Sequence, residues 1–254
     1  MSRNMSPQAP FRTRIKICGL TREADVDAAV SAGADAVGFV LYEASPRFVS
    51  PERAAELAHR LPPFVTPVLL FVNESAIKIR AACAHIPWSL LQFHGDETLA
   101  DCLAAGWPFL RAARIPLNTD GSAGHPQFDL VKFAHTFSAA QAILLDAHVD
   151  GFGGGGKTFN WSQLPPNVNA HLVLSGGLTP ANVADGISQL RARGKSLAVD
   201  VSSGVEETSP TGQALKGIKS FEKINQFVAA VRAADALHAR HHATPPTNLP
   251  TTRP

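Results

Sequence analysis

Short apolar runs recur along the chain, and each is followed by a stretch with helical features. The runs are almost continuously apolar, which is typical of strands that are covered on both faces. Eight of them are predicted as strands, at Arg14–Cys18, Ala36–Leu41, Pro67–Val72, Leu90–Phe93, Phe109–Arg114, Ala142–Asp146, Leu172–Leu174 and Leu197–Val201. Strand–helix alternation repeated in this way predicts a parallel sheet with a crossover helix after each strand.

Capping residues mark several helix boundaries between these strands. Ser50-Pro51-Glu52 combines an N-cap, a proline at the first helical position and an early acid, and Asp96-Glu97-Thr98 opens another helix. Gly33 and Gly106 stand where helix C-caps would fall. The last helix is predicted at about residues 216–234, where apolar residues recur at helical spacing.

The number of strand–helix units matches one large barrel. Eight such units in roughly 230 residues are the size of a (β/α)8 TIM barrel. A doubly wound open sheet is the alternative, but it would place its ligand at one switch point. Distinctive loops here follow the first, second, sixth, seventh and eighth strands, which favours the barrel. We therefore predict a single α/β barrel over residues 13–235, with a disordered lead at 1–12 and a disordered Pro/His-containing tail at 236–254.

Composition and charge exclude several classes of protein. The 254 residues carry a net charge of +2 without a run of Lys or Arg, so we expect no nucleic-acid partner. No apolar run approaches the ~20 residues of a membrane span, and the start of the chain lacks the apolar core of a signal peptide. Three cysteines without a paired spacing favour a reducing compartment. We expect a cytoplasmic protein that does not contact membranes.

Two chemically reactive side chains end predicted strands, where TIM barrels hold their active sites. Cys18 ends the first strand and Asp146 ends the sixth. A thiolate can act as a base, and a buried carboxyl group in its protonated form can act as an acid. The alternatives are a core cysteine and a structural, hydrogen-bonded carboxyl group. If the strands close into a barrel, both side chains face the same bowl.

Two loops rich in glycine and serine follow the seventh and eighth strands. The candidate binding residues are Gly176 and Gly177 in the first loop, and Asp200, Ser202, Ser203 and Gly204 at the second. Small residues let backbone N–H groups approach an anion, and barrels commonly bind phosphate between these two loops. Tight turns without a ligand are the alternative. The co-occurrence of the two loops favours a phosphate site.

Arg47 follows the second strand in a loop that Pro46 stiffens. A fixed guanidinium can hold a carboxylate with two hydrogen bonds, and the alternative is an ordinary surface arginine. His94 ends the fourth strand, where it either lines the site or caps the strand, and we assign it no role. No spacing typical of metal ligands appears, so we expect no metal.

The glycine run at residues 151–158 matches the patterns of a P-loop and of a dinucleotide-binding loop. Pro165 and Pro166 exclude the long helix that a P-loop needs, and no acid stands about 20 residues further on, as a dinucleotide site requires. We favour a mobile lid over the barrel mouth, with Lys157 reaching an anionic ligand. A surface loop without function is the alternative.

Seven segments, taken in order, resemble the phosphoribosylanthranilate isomerases, (β/α)8 enzymes of tryptophan biosynthesis. The segments are KICGLT (16–21), GFVLYEASPRFVSP (38–51), LQFHGDE (91–97), LLD (144–146), GKTFNW (156–161), SGGL (175–178) and VDVSSGVE (199–206). The resemblance implies that Cys18 is the general base, Asp146 the general acid and Arg47 the residue that holds the anthranilate carboxylate. It also implies that the two glycine- and serine-rich loops bind phosphate.

The activity that this resemblance implies is an intramolecular oxidoreductase-type isomerisation, the Amadori rearrangement of N-(5′-phosphoribosyl)anthranilate. It requires no cofactor, and its partner is a small phosphosugar substrate bound by a monomer or homodimer. The chain departs from the family pattern at Gly155, at Asn160 and in residues 209–217, which concerns the lid and the last helix. Another phosphosugar isomerase or epimerase and a catalytically silent phosphate-binding protein remain as alternatives. A P-loop NTPase ranks behind both.

Overall fold

A closed ring of parallel strands forms the centre of the molecule. The computed structural model describes residues 12–116, 128–147, 158 and 160–243. Within them, eight strands pair in chain order, and the last strand pairs with the first. They are β1 (Arg14–Cys18), β2 (Ala36–Val40), β3 (Thr66–Phe71), β4 (Leu90–Phe93), β5 (Phe109–Ile115), β6 (Ala142–Ala147), β7 (His171–Leu174) and β8 (Ser196–Val201). The predicted barrel is confirmed, and the open-sheet alternative is wrong.

Helices follow most of these strands on the outside of the ring. They are α1 (Glu23–Ala32), α2 (Pro51–Ala58), α3 (Ala76–His85), α4 (Leu99–Ala104), α5 (Leu130–Thr136), α6 (Val183–Leu190) and α7 (Phe221–Ala243). One-turn 3₁₀ helices lie at Trp161–Gln163 and Ser203–Val205. The predicted caps form at α1 and α2. Ser50 accepts a hydrogen bond from the N–H of Arg53, and Gly33 ends α1 with φ +93°. Among the described residues, no helix combines the length and the apolar character needed to cross a bilayer.

The strands alternate between two surroundings, as the walls of a barrel require. Side chains such as Ile15 and Ile17 face outward and join the large apolar cluster beneath the helices. A smaller cluster fills the barrel interior with Val68, Leu110, Ala112, Ala142, Leu144 and Val173. Towards the C-terminal ends of the strands the interior becomes polar, with Lys16, Gln92, His94, Asp146 and Asp200 all buried. The site chemistry therefore lies on top of an apolar floor.

The C-terminal segment differs from the sequence prediction. Residues Ala214–Lys219 form a strand, β10, which pairs antiparallel with β9 (Glu206–Thr208), and α7 begins only at Phe221. Gly217 has φ +83°, which no right-handed helix accommodates, and its N–H donates to the carboxylate of Glu206. The predicted helical spacing holds from Ile224 onward, and α7 continues beyond residue 235 to Ala243.

Hydrogen bonds join the start of β1 to α7. Thr13 donates through its N–H and its hydroxyl to the carboxylate of Asp235, at 3.0 and 2.6 Å. Arg191 from the end of α6 pairs with the same carboxylate, and Arg232 donates to the carbonyl of Thr13 at 2.8 Å. The two ends of the barrel unit are thus held together at the N-terminal face of the strands.

Candidate active site

Cys18 and Asp146 point into the ring from its C-terminal end. Cys18 is the last residue of β1, and Asp146 is the penultimate residue of β6. Each has an exposed fraction of 5%. They occupy interior positions, since their neighbours Ile17 and Leu145 belong to the outer apolar cluster. The structure therefore brings both predicted reactive groups to the same bowl.

The space that holds the Cys18 thiol exists because β2 has a glycine beside it. A Cβ atom built on Gly38 would lie 2.6 Å from the Cys18 sulfur and 3.1 Å from Cε of Lys16. The carbonyl of Gly38 accepts hydrogen bonds from the N–H groups of Gly19 and Leu20, at 2.9 and 3.1 Å. These bonds turn the chain immediately after the thiol and fix its position.

Neighbouring groups shift the pKa of the Cys18 thiol in opposite directions. Burial raises the pKa of the thiol, and the carboxylate of Asp200 adds to the rise, while the ammonium groups of Lys16 and Lys219 lower it. The net direction is upward, so the ligand-free site holds a protonated thiol at neutral pH. Lys16 hydrogen-bonds to the thiol and pairs with Asp200 at 2.9 Å, between Nζ and Oδ1.

Lys16 was missed by sequence reasoning. Burial lowers its pKa, but Asp200 and Cys18 outweigh burial and hold the net pKa above its ordinary value. The lysine is therefore charged, two residues before the thiol on the same face of β1. The available signal was a lysine at an interior position of an otherwise apolar strand.

Asp146 is held by a chain of hydrogen bonds that includes His94. The carboxylate Oδ2 lies 2.9 Å from Nε2 of His94, and Oδ1 accepts from the N–H of Ala147 at 3.0 Å. Nδ1 of His94 lies 2.9 Å from Nε2 of Gln92. With the amide placed in this orientation, Nδ1 accepts and Nε2–H donates to Asp146. His94, left unassigned by the sequence, thus orients the carboxyl group.

Arg47 is buried against a carboxylate that sequence reasoning did not identify. Its Nε and Nη2 donate to Oε1 and Oε2 of Glu206 at 2.6 and 2.9 Å, and the exposed fractions of the two residues are 7% and 1%. The surface-arginine alternative is therefore wrong. Glu206 occupies one edge of the guanidinium, so the edge formed by Nη1 and Nη2 is the one that a ligand carboxylate would meet.

The two candidate phosphate loops touch each other. Gly176 and Gly177 have φ values of +77° and +64°, which places both in the left-handed region where glycine costs least. A Cβ atom on Gly204 would lie 1.9 Å from the carbonyl oxygen of Leu178. Only glycine permits this approach of the loop after β8 to the loop after β7. Small residues from both loops therefore meet at one rim of the bowl.

The other predicted binding residues lie either at this rim or below it. Ser202 and Ser203 lie at the turn into the 3₁₀ helix Ser203–Val205, directly after β8. Asp200 lies deeper, where it pairs with Lys16 and accepts a hydrogen bond from Ser175 at 3.4 Å. Its carboxylate therefore fixes Lys16 at the base of the site.

Two further sequence predictions concern the glycine-rich loop and Asn160. The glycine run with Gly155 and Lys157 lies outside the described residues. Asn160 is described, and its side chain caps the 3₁₀ helix Trp161–Gln163 by accepting from the N–H of Ser162. In the described ranges, no group of His, Cys, Asp and Glu side chains is arranged to hold a metal ion.

Comparison with known proteins relates this geometry to one family. Residues 15–230 match the family described as N-(5′-phosphoribosyl)anthranilate (PRA) isomerase. The N-(5′-phosphoribosyl)anthranilate isomerase of Methylibium petroleiphilum is 60% identical over 226 residues, which cover 89% of this chain and 97% of that protein. The corresponding protein of Leptothrix cholodnii is 58% identical over 228 residues, covering 90% and 94% of the two chains.

Solved structures give the same result. The phosphoribosyl anthranilate isomerase of Thermotoga maritima is 36% identical with a TM-score of 0.72, covering 87% of this chain and 99% of its own. A structure described as a complex with reduced 1-(o-carboxyphenylamino)-1-deoxyribulose 5-phosphate is 33% identical with a TM-score of 0.69, at the same coverage. A further Thermotoga maritima structure, 32% identical with a TM-score of 0.66 and again at that coverage, is described as monomers of a dimeric enzyme. The chain therefore belongs to the N-(5′-phosphoribosyl)anthranilate isomerase family.

Proposed function

We propose that this isomerase converts N-(5′-phosphoribosyl)anthranilate to 1-(2-carboxyphenylamino)-1-deoxyribulose 5-phosphate in tryptophan biosynthesis, with Cys18 as general base and Asp146 as general acid. One observation carries the assignment of roles. A buried thiol and a buried carboxyl group end β1 and β6 inside one ring, beside two loops of small residues. Family membership supplies the reaction, and this geometry supports the residues.

The reaction needs one proton delivered and one removed. Asp146 protonates the furanose ring oxygen, and the bond from that oxygen to C1′ breaks as the nitrogen lone pair forms an iminium ion. The thiolate of Cys18 then removes the C2′ proton, and the electron pair of that bond neutralises the iminium nitrogen. The resulting enolamine tautomerises to the ketone. Each proton transfer contributes about 10²–10⁴-fold when the group is well placed.

Charged neighbours of the base support its ionisation. Lys16 and Lys219 both lower the pKa of the Cys18 thiol against the larger effect of burial. Asp200 holds the Lys16 ammonium at 2.9 Å, which keeps the positive charge beside the sulfur. The Asp200 carboxylate itself raises the pKa of the thiol, so its role is to hold the Lys16 ammonium in place as the counter-charge of the thiolate.

Binding at both ends orients the substrate between acid and base. We assign the 5′-phosphate to the rim formed by Gly176, Gly177, Ser202, Ser203 and Gly204. Arg47 receives the anthranilate carboxylate on its free edge. A ligand fixed at two distant points loses its freedom before the reaction, and this can contribute several kcal/mol to catalysis.

The assembly that we propose is a cytoplasmic homodimer. The Thermotoga maritima enzyme is described as dimeric, and this chain matches it over 87% of its length. Sedimentation equilibrium of the purified protein measures the mass directly. A single species at the monomer mass of 26.9 kDa would contradict the dimer and leave the catalytic assignment untouched.

The decisive experiment supplies N-(5′-phosphoribosyl)anthranilate and follows the loss of its anthranilate-type fluorescence. We expect turnover by the unaltered protein and a large loss of turnover in Asp146→Asn, which keeps the shape but cannot donate the same proton. An unaltered protein that is folded yet inactive would redirect the assignment to another phosphosugar isomerase. Full turnover in Asp146→Asn would remove the acid role.

A further inference from the structure

Three buried charged side chains connect the two ends of the proposed substrate site. Arg47, Glu206 and Lys219, here called the linking cluster, have exposed fractions of 7%, 1% and 3%. Glu206 and Lys219 face each other across the β9–β10 ribbon, where they are paired in register. Lys219 therefore joins the cluster from a strand within the segment that the sequence predicts as helix.

Glu206 is the centre of the linking cluster. Its carboxylate binds Nε and Nη2 of Arg47, accepts from the N–H of Gly217 at 2.9 Å, and lies 3.3 Å from Nζ of Lys219. Burial raises its pKa, but Arg47, Lys219 and the Gly217 N–H outweigh burial and lower it overall. The carboxylate is thus ionised and has a donor on each oxygen.

Lys219 extends these contacts to the phosphate rim. Its Nζ donates to the carbonyl of Ser202 at 2.9 Å and lies 3.3 Å from the hydroxyl of the same residue. Gly19 packs against both Arg47 and Ser202. A Cβ atom there would lie 2.5 Å from Cδ of Arg47 and 3.0 Å from the hydroxyl oxygen of Ser202. The arginine and the rim loop are therefore packed against the same glycine.

The charge of the linking cluster is unbalanced. Two cations share one carboxylate, whereas the buried pairs Lys16–Asp200 and Arg111–Glu97 match one cation with one anion. An excess buried charge is costly unless something of opposite sign approaches it. Burial lowers the pKa of Lys219, with a smaller contribution from Arg47, and together they outweigh the opposite effect of Glu206. An anionic ligand at either end of the site would relieve the excess charge.

We propose that Glu206 and Lys219 are positioning residues that fix Arg47 and the Ser202 loop relative to each other, so that the carboxylate end and the phosphate end of the substrate are bound as one unit. Neither residue touches the reacting atoms. Glu206 aims the free edge of the guanidinium, and Lys219 holds the backbone of the rim. This inference rests on the proposed function.

The test measures binding at each end separately. The probes are reduced 1-(o-carboxyphenylamino)-1-deoxyribulose 5-phosphate, which occupies both ends, and inorganic phosphate, which occupies one. We expect Glu206→Gln to weaken binding of the reduced product by at least about tenfold, because a buried charge pair loses one partner. In turnover it raises KM more than it lowers kcat. Lys219→Met weakens the binding of both probes, whereas Arg47→Ala weakens only the reduced product.

A double variant shows whether Glu206 acts through Arg47. Arg47→Ala with Glu206→Gln should bind the reduced product no more weakly than Arg47→Ala alone. Once the guanidinium is absent, Glu206 has no group left to orient. Fully additive losses would overturn the proposal. Wild-type affinity for the reduced product in Glu206→Gln, or for phosphate in Lys219→Met, would overturn it as well.

A matched control separates positioning from stability. Asp235→Asn breaks the partly buried pair with Arg191 at the opposite face of the barrel, so it should lower stability without changing either affinity. If Glu206→Gln does not fold, Glu206→Asp carries the test, since it keeps the charge and shortens the reach. If Arg47→Ala itself binds the reduced product normally, the carboxylate assignment under the proposed function fails. A loss in Arg47→Ala without one in the Glu206 variants refutes positioning alone.

Discussion

The proposed chemistry depends on the thiol of Cys18, which burial keeps protonated in the ligand-free site. Cys18 has a raised pKa because the cost of desolvating the thiolate exceeds the help of two ammonium groups. The sequence predicted the thiol and its partner carboxyl group from their places at strand ends. It could not predict Lys16 as the counter-charge, because an isolated lysine in a strand is compatible with many surroundings.

Replacing Cys18 by serine tests the base directly. An alkoxide forms far less readily than a thiolate, so we expect Cys18→Ser to fold normally and to lose about 10²–10⁴-fold in turnover. Steady-state fluorescence assays give the rate, and circular dichroism checks the fold. Cys83→Ser is the matched control, because Cys83 is buried in α3, on the outside of the ring of strands. Comparable losses in both variants would argue against a catalytic thiol.

The pH dependence of the rate of alkylation by iodoacetamide reports the same thiol in the free enzyme, because only the thiolate reacts and the proton of Asp146 is not needed. Because the pKa of Cys18 is raised, the active thiolate fraction grows as pH increases, and the rate should still be rising above pH 8. Lys16→Met removes one cation that lowers this pKa, so the rise should move to higher pH and the rate at pH 7 should fall. Lys78→Met, exposed on α3, should leave the profile unchanged. Superimposable profiles for Lys16→Met and wild type would contradict the counter-charge.

At the scale of elements, the strands were readable because each is covered on both faces and is therefore continuously apolar. Seven helices follow them among the described residues, and local caps at Ser50 and Gly33 fixed boundaries correctly. The β9–β10 ribbon was not predicted. Apolar residues at Leu215 and Ile218 suit a helix as well as a strand, and the deciding contact is made with Glu206, 11 residues from Gly217.

The contact between the two rim loops can be tested at Gly204. Alanine there would place Cβ 1.9 Å from the carbonyl of Leu178, so the loop after β8 must move away from the loop after β7. We expect Gly204→Ala to weaken competitive inhibition by inorganic phosphate at least about tenfold, since displacements near 1 Å are enough to disrupt such sites.

Gly33→Ala provides the comparison for this substitution. Its Cβ would meet nothing within 4 Å, but φ +93° strains the backbone, at a cost of about 1 kcal/mol. Stability should fall while phosphate inhibition stays unchanged. If inorganic phosphate inhibits Gly204→Ala and Gly33→Ala equally well, the rim is not the anion site.

For the whole molecule, the sequence indicated which residues matter but not which ones meet. Asp146 and His94 are 52 residues apart, Arg47 and Glu206 are 159 apart, and Lys16 and Asp200 are 184 apart. Closure of the ring creates all three contacts at once. Because local pattern carries no information on such separations, the partners became visible only in the folded barrel.

The bonds between Thr13, Arg191 and Asp235 contribute to this closure. Asp235→Asn should lower the free energy of unfolding by on the order of 2 kcal/mol, as urea titration would measure, while leaving turnover unchanged. The carboxylate has a lowered pKa, because its hydrogen bonds to Thr13 and Arg191 outweigh burial. Its stabilisation is therefore present above the unfolded pKa of about 3.9 and lost as pH falls below it. Equal stability of variant and wild type at pH 7 would refute the closing role.

The same junction has a practical consequence. It gathers the start of β1 and the C-terminal half of α7 on the face of the barrel opposite the thiol and the phosphate rim. A second protein joined directly before Arg12 or directly after α7, in place of the residues outside the described ranges, would lie behind the enzyme. Bifunctional fusions built in either order should therefore keep an open mouth and unhindered access for substrate.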